Sequence, residues 1–485
     1  MAESFFWYDL ETSGTNAIDD RILQFAGQRT DADLNPVGAP VNQLVKPTQD
    51  ALLDPGAMAV TGLDPRALMK EGCSEFALTS LLLSHLGVPE TCVVGYNSLS
   101  FDDEFVRQTL FRNLRDPYAR EWQGGNSRWD ILGLMRMAYA LRPDGIHWPM
   151  RDNGRPSFTL VDLARANGIE HTSAHDALSD IEATIGLARL VKFTQPKLFD
   201  FYFALRQKQA VINQLYPLGK GPLVHVAPYY PPERRGLTAI LPLIAHPHFS
   251  NTVVCWDLTV PPRAFEAALS SVDTFDTALQ NWGREHETGP RPLQSIAINK
   301  SPPIAPYRTL GEVQANAFGM GESMVHERVA DLQRMGRLRD LLTERLLNKK
   351  QKQDEIGADR DVDSSLYTGG FFSTEDLATM EQARQSIASG DLPLVAGNER
   401  LRLLIERCYV RATGMPSDQA SVQAWLTYLR RQWLDSGRLE DVFRRTHAAP
   451  SDGPGSLAAE IKQSLLQRLA NQTSLMGLST ASWRG

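Results

Sequence analysis

The stretch FFWYDLETSGT at residues 5–15 constrains the fold more than any other part of the chain. An apolar, aromatic run leads straight into Asp9 and Glu11, two positions apart. On a strand, side chains with this spacing point to one face of the sheet, so a segment that begins as core must carry two carboxylates side by side. Such a pair repels, and it persists where a cation offsets the repulsion. Gly, Asn, Asp and Pro turns separate this run from RILQFAGQRT at 21–30 and VNQLVK at 41–46. Strands over 5–10, 21–30 and 41–46 joined by short turns predict an antiparallel meander. A helix over 75–86, a short apolar strand at 92–97 and helices at 102–114, 129–141, 159–167 and 176–192 follow from the apolar spacing. Ser157 is the expected N-cap of the 159–167 helix. The sum is an α/β layer on a mixed sheet.

Two later phrases carry compatible chemistry. Asp102 ends Tyr96-Asn97-Ser98-Leu99-Ser100-Phe101-Asp102, at an expected strand-to-helix junction where its carboxylate can face the strand-borne pair. Asp103 and Glu104 are rivals there, since any acid in a first helical turn is favoured by the helix dipole. In AHDALSDIEAT, His175 and Asp180 lie about 140° apart on a regular helix, so they cooperate only if His175 sits on the loop entering it. Asp176 is the competing acid. Asp9, Glu11, Asp102 and Asp180 offer hard oxygen ligands without thiolates, a set that selects two Mg²⁺ ions with Mn²⁺ as substitute. An imidazole titrating near neutrality beside such a site can activate water. Together these groups suit phosphodiester hydrolysis.

At 485 residues the chain exceeds one core, and its length favours three domains, with two or four possible. No apolar run approaches the roughly 18 residues of a membrane span, and MAESFFWYDLETSG has no secretory-signal pattern. The scattered Cys73, Cys92, Cys255 and Cys408 match no metal-ligand spacing and read as small buried apolar residues of a cytoplasmic protein. Net charge is −7, but residues 1–195 hold 17 Lys+Arg against 26 Asp+Glu, whereas 197–235 holds six basic and two acidic residues. A carboxylate-rich region beside a basic flank suits an enzyme that gathers cations in one place and holds a polyanion in another. Residues 107–155 carry nine arginines and no lysine, interleaved with Tyr118, Trp122, Trp129, Tyr139 and Trp148. Arginine forks and aromatic rings are what a single strand needs along its backbone and under its bases, although Trp129 and Tyr139 also fit the apolar face of a helix.

Beyond Gln195-Pro196 an aromatic linking helix (198–215) leads to short strands in PLVHVA, LTAILPLIA, TVVCWDLTV and IAINK, a small β-barrel or sandwich with helices to about 348. The polar stretch 349–365 reads as a linker. Helices are expected at 374–389, 398–412, 417–436 and 455–470, the first opened by a Ser373/Asp376 capping box and stopped at Gly390.

Asp9-Leu10-Glu11, then Asn97 to Asp102, then His175 to Asp180 resemble the three-motif signature of the DEDD exonuclease superfamily in its histidine-bearing branch. NSRWDILGLMRMAYALRPDGIHWP, NGIEHTSAHDALSDIEATI, PLVHV, INKSP and LYTGGFFS closely resemble the bacterial exodeoxyribonuclease I family, from about residue 4 to 375. The resemblance implies a ribonuclease H-like exonuclease domain over 1–195 and a small SH3-like β-barrel domain with helical elements over 196–348. A linker at 349–365 and an all-helical C-terminal domain over 366–485 would complete it. It further implies 3′-to-5′ removal of 5′-mononucleotides from single-stranded DNA in repair and recombination, by a monomer. Asp9, Glu11, Asp102 and Asp180 are the implied ligands of two Mg²⁺ ions and His175 the general base. Glu11, Tyr118, Trp122, Arg128, Arg136, Arg142, Asn299 and Lys300 are the implied strand contacts. Thr159 stands where the family pattern leads one to expect arginine near the substrate, with Arg155 as a neighbour that could compensate. The implied partner is the single-stranded DNA-binding protein, through its acidic C-terminal tail. Two other readings remain: an RNA-trimming or proofreading exonuclease of the same superfamily, and a catalytically inactive strand-binding scaffold.

Overall fold

The computed structural model describes residues 4–171, 176–286, 291–356, 361–393, 397–414, 416, 418–449 and 457–475. In chain order the elements are β1 Ser4–Thr12, β2 Ile22–Thr30, β3 Pro36–Leu44, α1 Pro55–Thr61, α2 Pro65–Glu71, α3 Glu75–Leu86, β4 Thr91–Gly95 and α4 Asp102–Arg112. β5 Ser127–Asp130, α5 Ile131–Leu141, α6 Leu160–Ala166, α7 Ala177–Thr194, α8 Pro196–Ala204 and α9 Lys208–Leu215 come next. Then come β6 Leu223–Val226, β7 Leu237–Ala245, β8 Thr252–Asp257, α10 Val272–Glu285, β9 Leu293–Ala297 and β10 Ile304–Pro306. The rest is helical: α11 Glu312–Ala317, α12 Glu322–Arg334, α13 Gly336–Ile356, α14 Thr374–Ser389, α15 Glu399–Thr413, α16 Gln419–Arg430, α17 Arg438–Ala448 and α18 Leu457–Leu475. Among the described residues no helix is long and apolar enough to cross a membrane.

Contacts divide the chain into two units: residues 1–127, 171–182 and 360–485 in one, 128–170 and 183–359 in the other. In the first, β3, β2 and β1 form the expected antiparallel meander and β4 adds parallel to β1, Ser4 opposite Thr91 and Trp7 opposite Val94. β1 and β2 are almost wholly buried, and Phe6, Tyr8, Leu10, Ile22, Phe25 and Val93 share a core with Leu78, Leu82, Phe105 and Leu110 from α3 and α4. The C-terminal helices belong to this same unit. Phe111 and Leu114 pack with Met380, Ile387, Leu401 and Leu404, and Leu53, Met58 and Leu68 pack with Ile461 and Leu465. In the second unit the sheet runs β10-β6-β7-β8-β9, antiparallel throughout. β6 is wholly buried and β7 is buried except for Ala245, as expected of short apolar strands covered on both faces.

Several local expectations need correction. Residues 127–130 form a strand ahead of α5, so Trp129 lies on β5, fully buried, and not on a helix face. The N-cap of α6 is Thr159, whose hydroxyl accepts from Asp162 N, while Ser157 Oγ donates to the Asp162 carboxylate at 2.6 Å. The 198–215 segment is two helices, and the polar stretch expected as a linker is helical as far as Ile356. Charged side chains at helical spacing extend a helix as readily as they solvate a linker, and composition cannot distinguish the two. α1, α2 and α17 escaped the periodicity reading. The Ser373/Asp376 capping box and the left-handed Gly390 stop of α14 are both present.

Candidate active site

β1 delivers Asp9 and Glu11 to one face, as period-two alternation requires. The chain leaves β4 through Asn97, whose left-handed φ of 64° turns it into α4, and Asp102 opens that helix. Asn tolerates this region better than other residues carrying a Cβ. Asp180 lies in the first turn of α7. Carboxylate oxygens of Asp9, Glu11 and Asp180 all lie within 4.8 Å of one another. Asp102 does not join that trio, yet its charge acts on both Asp9 and Glu11. Burial, then Asp102, Asp180 and Glu11, hold the Asp9 carboxyl well above the usual carboxylate range. Burial, then Asp180, Asp102 and Asp176, push Glu11 up to about 8. Packing buried anions this closely is unfavourable unless positive charge joins them. All-oxygen donors in a mostly buried cluster fit hard divalent cations.

The rival acids beside Asp102 are occupied by internal contacts. Asp103 accepts from Tyr8 Oη at 2.9 Å and from Arg120 Nη2 at 2.6 Å, both partners buried. Glu104 accepts from Arg107 Nη1 at 2.7 Å and from the Tyr367 hydroxyl. Three of the nine arginines in the 107–155 run are therefore structural: Arg107 also grips Glu121, Arg112 pairs with Glu75, and Arg120 pairs with Asp103. His175 lies outside the described residues. The sequence reading missed His171, whose Nε2 stands 2.5 Å from Asp180 Oδ1. The one available signal was its place four residues before His175 in the same phrase.

Other candidates are distributed over both units. In the first, Glu11 lines a cavity of about 500 Å³ with Gly14, Thr15, Val60 and Phe101, and with Arg438 and Arg445 from α17. Tyr118 is half-buried and Trp122 is exposed. In the second, Arg128 is buried and donates to the Asn299 carbonyl at 3.4 Å, and Lys300 follows in the same turn after β9. Arg136 stacks over Phe158 at 6.0 Å, Arg142 is exposed, and Thr159 is an exposed cap.

The family model for exonucleases matches residues 6–188, and that for the exonuclease I SH3-like domain matches 206–346. The chain is 38% identical to exodeoxyribonuclease I of Haemophilus influenzae, over 78% of this chain and 79% of that protein. To its Escherichia coli counterpart it is 36% identical, over 88% and 89%. The chain belongs to the exodeoxyribonuclease I family. It is accordingly a nuclease whose chemistry depends on divalent metal. Among solved structures, exonuclease I of Methylocaldum szegediense aligns with a TM-score of 0.86 and 34% identity, covering 97% of this chain and 99% of that one. A zinc-bound E. coli exonuclease I–single-stranded DNA complex aligns at 0.84 and 32%, covering 98% and 100%. A complex of exonuclease I with the C-terminal peptide of the single-stranded DNA-binding protein aligns at 0.84 and 32%, covering 97% and 99%. Membership in this family accounts for the length beyond the sheet that carries the acids.

Proposed function

We propose that this chain removes 5′-mononucleotides from the 3′ end of single-stranded DNA in the bacterial cytoplasm, during repair and recombination. The observation that carries the reading is the convergence of Asp9, Glu11 and Asp180 on one partly buried point, with Asp102 acting on it electrostatically. Asp9, Glu11, Asp102 and Asp180 would hold two Mg²⁺ ions, with Mn²⁺ as substitute. When bound, such cations would supply an activated water and charge stabilisation at the leaving oxygen. The protein's own part is positional. β1 and α7 hold their carboxylates on the rigid sheet and helix, and burial keeps bulk water from competing for them. His171 holds Asp180 from outside the trio, and His175 is assigned the proton of the attacking water. The cavity beside Glu11 has the size of a nucleotide site, which agrees with Glu11 lying next to the terminal residue. Tyr118, Trp122, Arg128, Arg136, Arg142, Asn299 and Lys300 are assigned to the strand, and Thr159 to the neighbourhood of the terminal phosphate. We retain the division into nuclease (1–195), SH3-like (196–348) and helical (366–485) parts as a functional one.

The single-stranded DNA-binding protein is the proposed partner. In the second unit a cavity of about 410 Å³ is lined by Met137, Leu198 and Phe201 together with Lys197 and with Arg142, for which this cavity is the alternative to a place on the strand. An apolar floor with two cations has the chemistry for an acidic, carboxylate-ending tail. The deciding experiment compares wild type and Asp180→Asn on matched 3′-labelled DNA and RNA oligonucleotides, single- and double-stranded, with Mg²⁺. Degradation of single-stranded DNA by wild type alone is expected. Preference for RNA, or cleavage that survives in the variant, overturns the reading.

A further inference from the structure

The last helix, α18, repeats polar side chains four residues apart in two adjoining rows: Gln463, Gln467 and Asn471, then Ser464, Arg468 and Gln472. Residues at this spacing share a helix face, so the rows form one ridge of amides around a single arginine, with no carboxylate among them. Elsewhere on the helix, Ile461 and Leu465 pack with Met58 and Leu68 and hold α18 against α1 and α2. Between the ridge and α2 lies a cavity of about 680 Å³, lined on the α2 side by Pro65, Arg66, Met69 and Lys70. It shares no lining residue with the cavity beside Glu11.

Arg468 stands in this cavity wall without a counter-ion. Its Nη2 donates to the carbonyls of Thr48 at 2.7 Å and Ala51 at 3.3 Å. Among the described residues its Nη1 reaches only the Met69 sulfur, a weak acceptor 3.7 Å away, and no carboxylate pairs with the guanidinium. Its Nε is buried with no acceptor, and Gln472 Oε1 is buried with no donor. Burial pushes the Arg468 pKa down to about 10, opposed by Asp50, a carboxylate already held by Arg21 and Arg411. A desolvated cation left this way is unfavourable, and a bound anion offsets the cost. Lys70 adds a second positive charge: its side chain is 82% exposed, and its nearest carboxylate is the adjacent Glu71 at 3.9 Å. Arg66 adds none, because Asp64 at 3.0 Å and Glu460 at 2.7 Å already hold it.

The lining states the chemistry of its ligand. A guanidinium and an ammonium together favour a phosphomonoester, which carries close to two negative charges near neutrality, over the singly charged diester of a strand. Amides offer donors and acceptors in one group and match the polar edge of a base, and Pro65 and Met69 supply apolar surface for its ring. The volume exceeds the roughly 500 Å³ beside Glu11, enough for a whole nucleotide. We infer that the cavity between α2 and α18 binds a 5′-mononucleotide, its phosphate on Arg468 and Lys70 and its base along the amide ridge. This rests on the proposed reaction, whose released product is such a nucleotide, and adds a second place on the chain where that product is held.

Equilibrium dialysis of the full-length chain in EDTA, against dAMP, inorganic phosphate and an acidic peptide ending in a free carboxylate, tests the site. Without metal the carboxylate cluster repels a phosphate, so the cationic cavity is left to bind it. Wild type is expected to bind one dAMP about fivefold or more tighter than inorganic phosphate. Arg468→Met should weaken dAMP binding about tenfold or more. Lys70 is on the surface, so Lys70→Met leaves the core intact and should weaken binding about threefold. Affinity for dAMP unchanged in both variants overturns the site. Equal affinity for dAMP and phosphate overturns it as a nucleotide site, and tighter binding of the peptide makes it a tail-docking surface instead. A wild type that binds dAMP here yet degrades no single-stranded DNA leaves the site standing and fails the reading that makes the nucleotide its product.

Discussion

Asp180 occupies the most exacting position of any single residue in the site, because it must complete the trio on β1 from the start of another element. Replacing it with asparagine keeps the shape and removes one anion. Asp180→Asn is expected to abolish cleavage while retaining most of its affinity for single-stranded DNA in EDTA, measured by gel hydrolysis and fluorescence anisotropy. The two histidines of the same phrase should differ in kind. His175→Ala should lower kcat about 10²- to 10⁴-fold, the range for a lost general base. His171→Ala removes a group that hydrogen-bonds the Asp180 carboxylate, so its effect should be relieved by raised Mg²⁺ concentration. If high Mg²⁺ rescues His175→Ala instead, the roles are reversed.

Among elements, β6 carries a titration that can be isolated. His225 is buried, its Nδ1 2.9 Å from Tyr230 Oη, and burial lowers its pKa from 6.5 to about 4. Between those values the unfolded chain binds a proton that the folded β6 refuses, so stability falls as pH drops from about 6.5 towards about 4. At the lower end the loss reaches about 3 kcal/mol. Urea unfolding of wild type and His225→Phe at pH 7 and pH 4.5 should show the gap between them shifting in favour of the variant at the lower pH. A gap independent of pH would show that His225 is not the group responsible. α4 illustrates a different economy: its first three residues are all acids, yet Asp103 and Glu104 are tied to Tyr8, Arg120, Arg107 and Tyr367, and those ties orient the helix that carries Asp102.

Across the whole first unit, the C-terminal helices are joined to the sheet region by a buried ionic network. Arg411 donates to Asp50 at 2.8 Å and to Asp363 at 2.5 Å, Arg21 reaches Asp50 at 2.9 Å, and Tyr428 Oη bonds the same Asp50 oxygen at 3.0 Å. Despite burial, the arginines hold both carboxyls below the usual range. Arg411→Met removes the cation that Asp50 and Asp363 share, leaving each with one arginine, Arg21 and Arg407, and should cost about 3 kcal/mol in chemical denaturation, the low end for a broken buried pair. Because the folded pKa values of Asp50 and Asp363 are depressed, wild type gains stability from them above about pH 4 and loses it progressively on further acidification. Mg²⁺ should also raise the melting temperature of the wild type, since it binds the folded carboxylate cluster and not the unfolded chain. One site at a hundredfold excess over Kd contributes about 2.7 kcal/mol. Asp9→Asn should abolish that shift, and a shift of equal size in both proteins would place the ion elsewhere.

What the chain reveals by itself is whatever depends on neighbours in sequence. The alternation that sets Asp9 beside Glu11, the meander of β1 to β3, the span of α3 and the Ser373 cap of α14 are all local, and each is legible from spacing and turn chemistry. Asp102 was preferred over Asp103 and Glu104 from its place at the strand-to-helix junction, but spacing could not show that Tyr8 and Arg120 arrive from other elements to bind Asp103. His171 stayed hidden because its contact with Asp180 is made by a turn in the chain and not by a pattern along it. The placement of 366–485 in the same compact unit as β1 to β4, through Arg411 and the cores around Leu404 and Leu465, lay beyond reach for the same reason. Burial and ion pairing are properties of approach in three dimensions, and side chains hundreds of residues apart declare their partners only when the chain has folded.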